Sequence, residues 1–140
     1  MSELKTEPFV WPVRVYFEDT DAGGVVYHSR YLNFFERART EMLRAMGVPQ
    51  NELREKHGFI WVVHEMNIKF VKAARLDDEL RVTAQFTDVR GLRTGIRQEM
   101  TRQDNGELVC TADVVAVMLH ADSLKPARVP DWIKTKLEMD

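Results

Sequence analysis

The chain carries one stretch of helical period and then abandons that period. From Ser29 to Met46 the apolar residues Leu32, Phe35, Ala38, Met42, Ala45 and Met46 recur at steps of three or four, which stacks them on one side of a helix. Tyr31 and Phe34 widen the apolar arc, while Arg37, Thr40, Glu41 and Arg44 mark a polar side. The spacing therefore predicts a helix that is mostly but not wholly enclosed. Gly47, followed by Val48-Pro49, is the expected stop. Beyond Gly58 the period is two. His64, Met66, Ile68 and Phe70 alternate with Glu65, Asn67 and Lys69, and Leu80, Val82, Ala84 and Phe86 alternate with Arg81, Thr83 and Gln85. A strand from Thr94 to Arg102 meets another from Glu107 to His120 across Asp104-Asn105-Gly106, and Asn-Gly is a strong hairpin signal.

The remaining segments fit around this frame. Pro12 to Phe17 reads as a short strand with Val13, Val15 and Phe17 on one face, and Asn51 to Gly58 reads as irregular. Val114 to Leu119 is apolar at nearly every position, which predicts an inner strand covered on both faces. His64 falls on an apolar phase, so a partly buried imidazole is expected there. Pro130-Asp131-Trp132 opens a short terminal helix. One long helix, one strand before it and four after it can bury their surfaces by wrapping the sheet around the helix. That is an α+β hotdog arrangement. A ferredoxin-like α+β layer uses similar pieces, and the pattern alone does not choose.

Composition narrows the function classes. At 140 residues and 44% hydrophobic the chain can build one core, so a single domain over residues 1–140 is expected. Lys+Arg 20 against Asp+Glu 22 gives a net charge of −2, which supplies no field to draw in nucleic acid. The lone Cys110 has no disulfide partner and no neighbour at zinc-ligand spacing, and the four histidines show no ligand spacing, so no metal is expected. MSELKTEPFVW has neither a basic nor an apolar leader region, and no run approaches the ~20 apolar residues of a membrane span. A cytoplasmic protein, not an integral membrane one, is expected.

The chemistry concentrates in YFEDTDAGGVVYHSRY, residues 16–31, which places three carboxylates, two glycines and a histidine between a strand and the main helix. A loop there can aim side chains at the place where the helix N-terminal amides, with their partial positive charge, also point. Hydrolysis of a thioester needs delivery of oxygen to the carbonyl carbon and donors for the oxygen that becomes negative. Asp21 could activate water or attack directly, and the backbone N–H near His28 could bind the carbonyl oxygen. Gly23 and Gly24 let backbone approach a ligand, and Val25 and Tyr27 complete the expected contacts with substrate. Asp, Thr and Gly before a helix are equally ordinary capping and turn residues, a role that suits Asp19 and Thr20. Glu36, in the helix, reads as paired with Thr40 or Arg39. Arg90 and Arg93, flanking Gly91-Leu92, are candidate partners for nucleotide phosphates. No G-x-S-x-G motif is present.

RVYFEDTDAGGVVYHSRYLNFFERARTEMLR, with WPVRV before it and KFVKAARLDDEL, LRTG and LKPARVP after it, closely resembles the bacterial Tol-Pal-associated acyl-CoA thioesterases of YbgC type. These belong to the 4-hydroxybenzoyl-CoA thioesterase group of hotdog proteins. The resemblance implies dimers or tetramers with a pocket between subunits. It also implies Asp21 as nucleophile or general base, His28 near the thioester carbonyl with its backbone N–H as donor, and coenzyme A as part of the substrate instead of a bound cofactor. Leu32, Phe35, Met66 and Ile68 would build the core and an acyl wall. Phe17 departs from the pattern, since many relatives carry tyrosine there. A phenol could hydrogen-bond near the site and phenylalanine cannot, so any such help passes to Tyr16 or Tyr27 or is absent. Two other readings stay open on the residues: a hotdog hydratase or dehydratase, and a module that binds acyl carrier protein or a phospholipid-synthesis partner.

Overall fold

The structure, a computed structural model, describes residues 3–4 and 7–139; part of the N-terminal segment on which the leader expectation rests lies outside them. Its elements run β1 (Glu3–Leu4), β2 (Phe9–Arg14), a 3₁₀ turn (Phe17–Asp19), α1 (His28–Ala45), α2 (Gln50–His57), β3 (Phe59–Phe70), β4 (Glu79–Arg90), β5 (Arg93–Arg102), β6 (Leu108–His120), α3 (Asp131–Leu137) and β7 (Glu138–Met139). The main sheet has five antiparallel strands in the order β2-β4-β5-β6-β3, and β1 pairs with β7 separately.

α1 forms where the helical period lies and ends at Gly47, whose φ of +82° no side chain adopts easily. Its apolar face, Phe34, Phe35, Ala38, Met42 and Leu43, is buried. Against it pack inward-facing residues of the sheet, among them Val13, Leu80, Val82, Met100, Ala112 and Met118, with Val15 just past the end of β2. A helix seated in the hollow of an antiparallel sheet is the hotdog arrangement.

Four details differ from the sequence reading. The first strand ends at Arg14, and Phe17, 81% exposed, stands in the 3₁₀ turn. There the Tyr16 N–H donates to Asp19 Oδ2 at 2.8 Å and turns the chain off the sheet. The stretch from Asn51 to Gly58, expected to be irregular, falls in α2 (Gln50–His57) and its cap, Gly58, which is in the left-handed conformation at φ +74°. His64 is exposed. The register of β3 on β6 steps from Val63↔Ala116 to Glu65↔Val115, so His64 is the extra residue of a bulge. Finally, β6 is an inner strand, with Val114, Ala116 and Met118 buried, but Val115, Val117 and Leu119 on its other face are only half-buried. Cover on that face is partial.

Candidate active site

Between the 3₁₀ turn and α1 the chain makes a narrow ladder. The Tyr27 N–H donates to the Asp19 carbonyl at 2.9 Å, Thr20 bridges Val26, and the Asp21 N–H donates to the Val25 carbonyl at 2.9 Å. Asp21 stands at the tip. The Gly24 N–H returns to the Asp21 carbonyl at 3.0 Å, with Gly24 at φ +78°. Asp21 Oδ1 accepts from the Gly23 N–H at 2.8 Å, which fixes the carboxylate's direction on an exposed residue. A Cβ at Gly23 would come within 3.2 Å of that same oxygen.

The ladder is pinned from the far side by residues 73–75. The Val26 N–H donates to the Ala74 carbonyl at 2.8 Å, Val25 bridges Arg75, and the Ala74 N–H donates to the buried Tyr31 hydroxyl at 3.0 Å. Burial pushes the Tyr31 phenol above its ordinary value, so it remains a neutral acceptor. Arg102 holds this segment in turn: its guanidinium donates to the Ala73 carbonyl, Asp78 and Glu107.

α1 then begins with no side-chain cap and no acidic residue in its first turn. The Arg30 N–H donates to the Tyr27 carbonyl at 2.9 Å. The N–H groups of His28 and Ser29, among the first four of the helix, lie ahead of the intrahelical ladder, and both residues are exposed. The His28 ring leans on Tyr27 at 4.3 Å between centroids. With Val26, Tyr31, Phe70, Val71, Lys72 and Ala73 it lines an open cavity of about 260 Å³.

Asp21, Gly24, Val25, Tyr27 and His28 lie along this one segment, and of these five His28 lines the cavity. Asp19 is buried and structural, bonded to the Tyr16 N–H and 3.8 Å from Arg30. Tyr16 and Tyr27 are exposed beside the loop. Arg90 and Arg93 lie elsewhere. They face each other at the β4–β5 turn, and Arg90 pairs with Asp88 at 3.4 Å. β4 starts beside the loop, where the Val15 N–H meets the Asp78 carbonyl, and its other end is roughly 36 Å away. Within one chain those arginines share no pocket with Asp21. Among the described residues no group of three or more His, Cys, Asp or Glu could hold a metal ion.

A second cavity, about 440 Å³, opens between α1, the start of α2 and β3, lined in part by Glu36, Arg39, Thr40, Trp61, Phe86 and Thr94. Trp61 Nε1 and Thr94 Oγ1, on its walls, are buried without a hydrogen-bond partner among the described residues, each a deficit on the order of 1–3 kcal/mol. Burial pulls the Arg39 guanidinium below its ordinary value, opposed by Glu36. The sequence reading did not find this cavity, because residues scattered from 36 to 116 are assembled only by the fold. The carboxylate of Glu36 accepts from the Thr40 hydroxyl, the pairing its spacing suggested.

A family model described as the thioesterase-like superfamily matches residues 15–137. The chain belongs to that superfamily. An acyl-CoA thioesterase YbgC of Haemophilus influenzae is 43% identical over 126 residues, covering 90% of this chain and 91% of the relative. The acyl-CoA thioester hydrolase YbgC of Escherichia coli O6:H1 is 42% identical over 130 residues, covering 93% and 96%. Among solved structures, a probable thioesterase from Bartonella henselae superposes with a TM-score of 0.82 at 33% identity over 89% of this chain and 100% of that one. A 4-hydroxybenzoyl CoA thioesterase in complex with its 4-hydroxybenzoyl CoA shares the fold, with a TM-score of 0.88 at 22% identity over 94% and 99%.

Proposed function

We propose that this thioesterase-like chain hydrolyses acyl-coenzyme A thioesters to the free acid and coenzyme A, with Asp21 as the oxygen-delivering residue. The observation that carries the reading is the loop itself. One backbone ladder holds a carboxylate with a single fixed oxygen at its tip and leads directly into a helix whose first two amides, of His28 and Ser29, have no hydrogen-bond partner among the described residues. The thioester carbonyl oxygen sits on the His28 N–H, where the helix dipole stabilises the negative charge that develops. Asp21 either adds to the carbonyl carbon or takes a proton from the water that does. The C–S bond then breaks and the thiolate leaves, taking up a proton as coenzyme A; on the first route water afterwards cleaves the acyl–Asp21 anhydride, which releases the free acid and restores the carboxylate. Coenzyme A enters as part of the substrate and leaves as a product.

Free-thiol release from a panel of acyl-CoAs tests the reaction class. Release supports hydrolysis. Loss of enoyl-CoA absorbance without thiol release would assign the chain to hydration instead, and no turnover at all would favour a module that binds acyl carrier protein or a phospholipid-synthesis partner.

We further infer a homo-oligomer. β3 is a twelve-residue edge strand, FIWVVHEMNIKF, paired only with β6. The other edge, β2, is six residues long and blunted by Pro12. A long apolar edge without proline is covered in a stable protein, and a second copy paired along β3 covers it. Arg90 and Arg93 would reach the nucleotide end of a bound coenzyme A only from another copy. No helix among the described residues is long and apolar enough to cross a membrane, and the cytoplasm is the compartment we propose.

A further inference from the structure

The cavity beside the second half of α1 has a wall that the Asp21 loop does not explain. It opens along the same helix edge as His28. Leu32 and Glu36 follow His28 at successive steps of four, and Arg39 and Leu43 continue the stripe. At both ends α1 faces β3 across an opening, His28 and Tyr31 toward Phe70 and Glu36 to Leu43 toward Trp61 and Val63. Between these ends Leu32 is 40% exposed, and Met66 and Ile68 are only half-buried. Within one chain, exposed and half-buried apolar side chains of α1 and β3 therefore lie between the two openings, beside the β3 edge where a second copy is inferred to pair.

At the far end the wall turns polar. Arg39 is half-buried, and its Nη1 donates to Gln98 Oε1 at 3.0 Å. Gln98 is a buried neutral amide, itself bonded to the Phe35 and Thr83 carbonyls. Among the described residues Arg39 makes no ion pair. Glu36 is committed to the Thr40 hydroxyl, which also accepts from Gln50 Nε2 at 3.2 Å. A guanidinium carries five donors in a fork that matches a carboxylate; among the described residues one hydrogen bond, to Gln98, engages this fork, which lines the open cavity with Glu36 as its charged neighbour. Arg39 lies eleven positions past His28, a rise of roughly 16 Å, and helical side chains lean back toward the N-terminus. A medium-length chain spans that gap.

We propose that this groove takes the acyl part of the thioester and that Arg39 receives a carboxylate at its far end, which makes medium-chain ω-carboxyacyl thioesters the preferred substrates. The proposal rests on the hydrolase reading of the Asp21 loop.

Two matched pairs test it: suberyl-CoA against octanoyl-CoA, and dodecanedioyl-CoA against lauroyl-CoA. Each is assayed for kcat/KM with the intact protein, Arg39→Gln and Arg39→Lys. In at least one pair the intact protein cleaves the carboxylated thioester roughly 10-fold or more faster, the return expected of a charge-assisted hydrogen bond. The ratio falls to about unity in Arg39→Gln and partly survives in Arg39→Lys. Because each ratio is internal to one protein, a general loss of fold does not move it. Plain chains cleaved as well as carboxylated ones in both pairs overturn the proposal, even if no variant folds. A ratio unmoved by Arg39→Gln removes Arg39 from the recognition and overturns it as well. If the intact protein cleaves none of the four and none of the wider acyl-CoA panel, the hydrolase reading fails on its own. Calorimetric Kd values for the uncleaved pairs then decide the groove, with equal values overturning it.

Discussion

Tyr31 ties the loop chemistry to the core. Its hydroxyl is the acceptor for the Ala74 N–H, and Ala74 in turn holds Val26 at the base of the Asp21 ladder. Tyr31→Phe leaves a buried amide without a partner, so a loss of about 1–2 kcal/mol in denaturant unfolding is expected, with reduced turnover because the ladder loosens. Cys110 predicts the opposite kind of result. Burial pushes its thiol up to about 12, so a disulfide reagent at neutral pH should find no reactive thiol in the folded protein and one after denaturation. A thiol-release assay therefore reads coenzyme A without background from the enzyme. The residues of the Asp21 loop were legible because they are contiguous and their types are specific to turns and helix entries. Arg39 was not, since nothing in ERART tells a guanidinium turned toward a cavity from one turned toward water.

At the scale of elements, the long period-bearing segments were readable and the short or interrupted ones were not. α1 and strands β4 to β6 emerge from periodicity because each buries one face against another element. α2 did not, because QNELREKH offers a single buried anchor, Leu53, and is otherwise charged or polar. The bulge in β3 was invisible because Trp61 and Val63 in one phase and Met66 and Ile68 in the other are equally apolar. The β5–β6 hairpin, legible from Asp-Asn-Gly, is further held by charge. Glu107 sits against Lys72 at 2.9 Å and Arg102 at 3.0 Å, and the hydrogen bond from Lys72, then that from Arg102, lowers its carboxyl below the ordinary 4.5. A carboxyl depressed in the folded state contributes stability that is fully present above its unfolded value and is lost as pH falls through the folded one. Acid titration monitored by circular dichroism should therefore show less destabilisation below about pH 4.5 in Glu107→Gln than in the intact chain.

At the scale of the molecule, fold and assembly are linked by the edge strand. A sheet that ends on one side in a twelve-residue strand with one open edge, eight of its residues apolar, and on the other in a proline-blunted strand has one natural place for a second copy. Sedimentation at micromolar concentration should give a dimer or tetramer, and a monomer would contradict that inference. The superfamily explains why such a small chain carries this architecture. The loop geometry supplies a reason for its chemistry, and that reason turns on one carboxylate. The decisive measurement is thiol release from the best acyl-CoA substrate by the intact protein and by Asp21→Asn, whose near-isosteric amide can still accept from Gly23 but neither attacks nor takes a proton. A loss on the order of 10²-fold or more in kcat, with unfolding unchanged, is the predicted result. An Asp21→Asn protein that turns over at the rate of the intact chain would contradict it.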